Sequence, residues 1–82
     1  MRLQFVFRTD VENPIDINVV EVPTEYQLKA IEEEIYADME KYIEESGEEN
    51  LDNFDFYMCC YEAVKHHIHI AENRIVKTIY IM

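Results

Sequence analysis

The chain has 82 residues and a formal net charge of −11, yet 49% of its residues are apolar. This apolar content can form a hydrophobic core, so the composition excludes a disordered acidic tail and is typical of a single domain over residues 1–82. One Gly and two Pro leave little material for a Gly-rich phosphate-binding loop. The composition therefore argues against a nucleotide-binding enzyme.

The start of the sequence, its short apolar runs and its cysteines predict a soluble protein of the cytoplasm. The sequence starts on a strand-like segment over residues 2–8, with no signal-peptide pattern, and its apolar runs are far shorter than the roughly 20 residues that span a bilayer. Cys59 and Cys60 are neighbours and are poorly placed to join distant segments. We therefore expect reduced thiols, no membrane partner and a location in the cytoplasm.

Alternating apolar and polar residues predict two strands at the start of the chain, over residues 2–8 and 15–22. A polar turn over residues 9–14 would join them as an antiparallel pair. The side chains expected to face the core are Leu3, Phe5, Phe7, Ile15, Ile17 and Val19.

The pattern changes to a helical period after Pro23. Thr24 and Gln27 form a capping-box pattern, and Gly47 occupies a position typical of a helix C-cap. Between them, apolar residues recur every three or four positions, which predicts one long amphipathic helix. Its expected buried stripe is Leu28, Ile31, Ile35, Met39 and Tyr42.

The second half predicts a polar connection over residues 48–53 and a second helix over residues 54–67. The expected buried side of that helix is Tyr57, Cys60, Tyr61, Val64 and Ile68. Residues 67–71 could form a short extra strand, and residues 74–81 predict a C-terminal strand that pairs with the first one. The order β-β-α-α-β favours an α+β fold, a two-layer sandwich with a small, mostly antiparallel sheet and two helices on one face.

The negative charge is concentrated between residues 25 and 55. This segment has twelve acidic residues and only two basic ones, Lys29 and Lys41. Such a segment repels nucleic acid and anionic lipid and attracts basic protein surfaces. The residues expected to bind a partner are Glu33, Tyr36, Glu40, Glu44, Glu45, Glu48 and Glu49. The alternative is a solvated helix face, but repulsion between carboxylates four residues apart destabilises a helix and favours a functional reason for the charge.

All cysteines and histidines of the chain fall within residues 59–69. Thiolate and imidazole are the preferred ligands of zinc. The candidate metal ligands are Cys59, Cys60, His66, His67 and His69. The alternative is that the cysteines belong to the core and the histidines lie at a helix end, where the helix dipole favours a positive charge.

The segment EIYADMEKYIEESGEENLDNFD, in a chain of this size and layout, resembles the small acidic anti-CRISPR proteins of phages and mobile elements. The resemblance implies a partner, a CRISPR nuclease with a basic channel, and a location in the cytoplasm of a bacterial host cell. We expect a non-enzymatic inhibitor, present as a monomer or homodimer, that docks its acidic helix on a basic surface of a nucleic-acid-handling protein.

The rival hypothesis is a small zinc-stabilised interaction domain that uses the Cys/His cluster. A Cys59–His66 nucleophile–base pair would need a third group to orient the imidazole, so catalysis is not expected.

Overall fold

A two-stranded antiparallel sheet followed by two helices forms the part of the chain that the structure describes. The structure is a computed structural model, and it describes residues 1–8, 10–71 and 79–81. In chain order the elements are β1 (Arg2–Phe7), β2 (Asp10–Asn18), α1 (Glu25–Ser46), a 3-10 helix (Glu48–Asn53) and α2 (Phe56–His67). This order of two strands and two helices confirms the predicted α+β class.

The two strands pair with their apolar residues opposite one another. Leu3 lies across from Ile17 and Phe5 across from Ile15, as the alternation predicted. The register then shifts before Phe7, which lies across from Asp10. The predicted turn over residues 9–14 is therefore wrong from Asp10 onward, because β2 already begins there. Its polar residues fall in this irregular part of the ladder, where a proline without an N–H group is tolerated.

The far end of β2 is paired on both sides. The Val19 amide donates to the Met1 carbonyl at 2.7 Å, and the terminal ammonium group of Met1 donates to the Val19 carbonyl at 2.8 Å. On the opposite edge, Val19 and Ile70 form an antiparallel bridge. The possible short strand over residues 67–71 is therefore reduced to this isolated bridge, because α2 continues through His67. Of the predicted C-terminal strand, residues 74–78 and the pairing with the first strand lie outside the described residues, and residues 79–81 form neither helix nor strand.

Helix α1 has the ends that the sequence predicted. The Gln27 amide donates to the Thr24 hydroxyl at 3.1 Å, and the Thr24 amide donates to the Gln27 side-chain oxygen at 2.9 Å, which completes the capping box. At the other end, Gly47 has a φ of +87° and its amide donates to the Ile43 carbonyl at 2.8 Å. A positive φ is accessible to glycine without strain, so the helix ends at the only glycine of the chain.

The buried stripe of α1 is shorter than predicted. Ile31 and Ile35 are buried and Met39 and Tyr42 are half-buried, but Leu28 is 43% exposed. Leu28 lines an open pocket together with residues 4–8 instead of packing in the core. The periodicity correctly gives the side of the helix, whereas the extent of burial depends on how far the sheet reaches.

The segment between the helices is more ordered than the predicted polar connection. Residues 48–53 form the 3-10 helix, and its Leu51 side chain is only 4% exposed. Helix α2 then begins after Asp55, whose side chain accepts a hydrogen bond from the Met58 amide at 3.0 Å. This start is two residues later than the predicted helix over residues 54–67.

The core lies between the hairpin and the two helices. Its buried residues are Leu3, Ile17, Val19, Ile31, Ile35, Cys59, Cys60, Ala63, Val64 and Ile68. Tyr57, predicted to be buried, is instead 51% exposed and stacks on Tyr61 with ring centroids 6.2 Å apart. The reason is that smaller residues of α2 occupy its core side. Neither of the described helices is long and apolar enough to cross a membrane.

The capping box offers a test of how α1 is stabilised. Replacing Thr24 with Ala removes the hydroxyl acceptor of the Gln27 amide, so we expect the free energy of unfolding to fall by about 1 kcal/mol. Thr24→Ser retains the hydroxyl and should leave the stability almost unchanged. Urea denaturation followed by circular dichroism measures both variants. Equal losses in the two would show that the hydroxyl is not the stabilising group.

Candidate functional site

The predicted partner-binding carboxylates lie together on the exposed side of α1 and on the 3-10 helix that follows it. We call them the acidic surface: Glu33, Glu40, Glu44, Glu45, Glu48 and Glu49, all of which are exposed. Carboxylates four residues apart on a helix are about 5–6 Å apart. Because the 3-10 helix follows α1 directly after Gly47, the surface extends beyond a single helix.

Little positive charge neutralises this surface among residues 1–8, 10–71 and 79–81. The ion pair that reaches it joins Arg8 to Glu48, with nitrogen and oxygen 3.4 Å apart. Lys29 and Lys41 of α1 are exposed and form no ion pair within the described residues. The surface therefore keeps a negative field.

The C-terminal end of α1 places negative charge where it is unfavourable. The last turn of α1 has no basic residue, and Glu44 and Glu45 lie close to the negative end of the helix dipole. Cations are the residues that stabilise this end of a helix, each by about 0.3–1 kcal/mol. The acidic surface thus works against the stability of the helix that presents it.

Tyr36, the predicted aromatic anchor, is 60% exposed and lies at the rim of an apolar groove. We call it the β1–α1 groove. Residues 4–8, at the end of β1 and just after it, form one wall, and Leu28, Glu32 and Tyr36 of α1 form the other. Phe5, Phe7, Ile35 and Met39 lie inside it, and its volume is about 460 Å³. The sequence reasoning missed this groove. The available signal was that apolar Leu28 and aromatic Tyr36 lie two turns apart on one side of the acidic helix.

The two cysteines belong to the core. Cys60 is completely buried and Cys59 is 7% exposed. Burial raises the pKa of each thiol to about 12, and at Cys59 the negative charges of Asp38 and Glu34 add to the effect. Zinc binds the thiolate, so binding at either cysteine would have to remove a proton from a buried thiol.

The histidines contact carboxylates instead of the thiols. His66 Nδ1 lies 2.7 Å from Glu34 Oε1, and His67 Nε2 lies 3.9 Å from Glu34 Oε2. His69 is exposed, and its carbonyl accepts a hydrogen bond from the Val20 amide. Within the described part of the chain, no group of three or more His, Cys, Asp and Glu side chains is arranged to hold a metal. The structure therefore does not bring the five candidate ligands into one site.

Glu34 joins the two helices, a role that was not among the predictions from the sequence. Its Oε1 atom faces His66 of α2, whose Nε2 atom lies 3.8 Å from Glu62. Its Oε2 atom is buried and has no hydrogen-bond partner among the described residues. A signal was present, because Glu34 directly precedes buried Ile35 and so lies on the margin of the apolar stripe. Its partner could be found only from the packing of α2 on α1.

Comparison with protein-family models, with curated proteins and with solved structures finds no match to this chain. The roles of the site residues therefore rest on their geometry and charge.

The buried thiols predict a loss of stability in alkali. An unfolded thiol has a pKa of about 8.5, so above that pH the unfolded chain releases protons that the folded chain retains until about pH 12. The stabilisation is complete below the unfolded pKa and is lost as the pH rises. We expect each thiol to lower the free energy of unfolding by roughly 1–2 kcal/mol between pH 8 and pH 10.

Denaturation of the wild type and of the Cys59→Ala/Cys60→Ala variant at several pH values measures this effect. The variant should be less stable at pH 8 but should lose less stability on the way to pH 10, because it lacks both ionising thiols. Parallel pH profiles for the two proteins would contradict the assignment of raised pKa values to these thiols.

The contact of Glu34 with His66 predicts energetic coupling between α1 and α2. The side chains are 29% and 55% exposed, so a coupling of about 0.5 kcal/mol is expected from a double-mutant cycle of Glu34→Ala and His66→Ala. The same cycle with Glu33→Ala serves as the matched control, since Glu33 is exposed and makes no ion pair with His66. Equal coupling for Glu33 and Glu34 would disprove a specific contact.

Proposed function

We propose that this protein is a non-enzymatic inhibitor that docks its acidic surface on a basic surface of a nucleic-acid-handling protein, such as a CRISPR nuclease. The observation that supports the proposal most strongly is the acidic surface, because it is exposed and largely unneutralised by the described residues. Its charges also oppose the dipole of α1. A surface that lowers the stability of its own helix favours a binding role over simple solvation.

The dimensions of the acidic surface suit a groove that normally holds a nucleic-acid strand. Glu33 and Glu44 are eleven positions apart on one helix, which corresponds to about 16 Å along the axis. Carboxylates four residues apart on this helix are about 5–6 Å from one another, an interval similar to that of backbone phosphates. Binding would release counter-ions as the binding of nucleic acid does. The charge would also steer the protein toward a basic partner and accelerate association at low salt.

The surroundings of Cys59, the candidate nucleophile, give no support to catalysis. The Cys59 sulfur lies 3.9 Å from the Ile35 carbonyl oxygen and 3.9 Å from Asp38 Oδ2. His66 instead contacts Glu34 and Glu62. A protonated, buried thiol without a neighbouring imidazole base is a poor nucleophile. The proposal therefore assigns no chemical step to this cluster.

Charge reversal of the acidic surface tests the proposed function. A panel of guide-loaded CRISPR nucleases is assayed for DNA cleavage with and without the protein, at low and at high salt. We expect inhibition of at least one member that weakens as the salt concentration rises. The Glu33→Lys/Glu40→Lys/Glu44→Lys variant should lose this inhibition, because repulsion replaces attraction over the docked surface.

The control is the Asp10→Lys/Glu12→Lys/Glu21→Lys variant. It has the same net charge as the reversed protein, and its substitutions lie at exposed positions outside α1 and the 3-10 helix. We expect it to keep the inhibition, whereas circular dichroism should show both variants to be folded. Inhibition that survives reversal of the acidic surface, or that both variants lose equally, would refute docking through α1.

A further inference from the structure

The last turn of α2 is held by two side chains of α1. The Gln27 side chain donates from its Nε2 atom to the His67 carbonyl at 3.2 Å. The Glu34 carboxylate lies beside two imidazoles, 2.7 Å from His66 Nδ1 and 3.9 Å from His67 Nε2. Gln27 and Glu34 are seven positions apart, so they lie on the same side of α1. One side of α1 therefore contacts the end of α2 at two points.

Gln27 satisfies backbone groups at the ends of two helices. Its Oε1 atom accepts from the Thr24 amide at 2.9 Å, which belongs to the capping box at the start of α1. Its Nε2 atom donates to the carbonyl of His67, the last residue of α2. The last carbonyls of a helix have no partner within the helix. The bond from Gln27 therefore stabilises an end of α2 that the helix itself cannot complete.

The segment directly after this turn is attached to β2. The Val20 amide donates to the His69 carbonyl at 2.9 Å, and the Ala71 amide donates to the Asn18 carbonyl at 2.8 Å. The isolated antiparallel bridge lies between these two bonds. We call residues 66–71 the latch, because α1 contacts its first two residues and the end of β2 contacts the rest.

The contacts with α1 and those with β2 are close in sequence. One residue, Ile68, separates His67, whose carbonyl bonds to α1, from His69, whose carbonyl bonds to β2. The Ile68 side chain is 5% exposed and belongs to the buried core. A displacement of His67 must also displace Ile68 and His69, so the two sets of contacts are mechanically linked. Such contiguous segments open locally as cooperative units, at a lower free energy than global unfolding.

We propose that the latch opens and closes as one unit while the rest of the domain stays folded, and that Gln27 and Glu34 set how often it opens. The open state uncovers Ile68 and separates the Val20 amide and the Asn18 carbonyl from their partners in the latch. The latch belongs to the fold, so it does not depend on the proposed function.

Amide hydrogen exchange by NMR on the full chain tests this inference. The probes are the Val20 and Ala71 amides, which bond between the latch and β2, with the amide of buried Val64 in α2 as the reference. In the wild type both latch amides should share one opening equilibrium constant, at least about tenfold larger than that of Val64. Low concentrations of urea should accelerate Val64 strongly and the latch amides little, because opening of the latch exposes little surface.

Two variants of the capping box separate the latch from global stability. Gln27→Glu keeps an oxygen that accepts from the Thr24 amide but removes the donor to the His67 carbonyl. We expect it to accelerate both latch amides about fivefold, which corresponds to one neutral hydrogen bond. Thr24→Ala weakens α1 equally whether the latch is closed or open. It should therefore accelerate Val64 and leave the latch amides unchanged.

Glu34→Ala provides a second test, which decides the result if Gln27→Glu does not fold. Loss of the carboxylate beside the two imidazoles should accelerate both latch amides about twofold. The matched control is Glu33→Ala, which removes an exposed carboxylate of the same helix and should leave the latch amides unchanged.

Three results would overturn the inference. The first is exchange of the Val20 and Ala71 amides with the rate and the urea dependence of Val64, because the latch would then open only on global unfolding. The second is a different response of Val20 and Ala71 to the same substitution, because the latch would then not be one unit. The third is latch exchange that neither Gln27→Glu nor Glu34→Ala changes, since α1 would then not control the opening.

Discussion

The contact of α1 with α2 determines which side chains of the long acidic helix are buried and which are exposed. Ile31 of α1 is 1% exposed, and it belongs to the same buried cluster as Cys60, Ala63 and Val64 of α2, which have no measurable exposure. Small residues on α2 allow the helices to approach closely, and the hairpin covers the remaining apolar surface. With this contact made, Glu34 lies at the margin of α2, Glu32 lines the β1–α1 groove and Glu33 is exposed.

The same contact separates two kinds of carboxylate on one helix. Glu34, at the margin, faces the imidazole of His66 and helps to hold the helices together. Glu33 precedes it by one position and points to solvent. A difference of one residue rotates a side chain by about 100° around a helix, so one of two neighbouring acids contacts α2 and the other is exposed. Part of the negative charge of α1 is therefore held in contacts within the protein, and the rest is exposed.

Local signals were sufficient for α1, because the capping box and the single glycine each act over a few residues. They were insufficient for Leu28 and Tyr57, whose burial depends on which neighbouring element reaches them. The start of β2 was misjudged because polar residues 10–14 resemble a turn, whereas a shift in register accommodates them within the strand.

The histidine contacts could not be found from spacing alone. Proximity in sequence suggested that the cysteines and histidines share one site, but the rotation of α2 directs Cys60 into the core and His66 toward α1. The β1–α1 groove and the role of Glu34 likewise arise from elements that are distant in sequence. Periodicity predicts the faces of an element, and it does not predict which other element each face meets.

The burial of Cys59 and Cys60 has a consequence for the surroundings in which the protein can act. Exchange with glutathione or attack by peroxide requires an accessible thiolate, and both sulfurs are buried and protonated at neutral pH. The core should therefore keep the same covalent state through an oxidative burst as in a reducing cell. A protein built in this way would not respond to the redox condition of its surroundings.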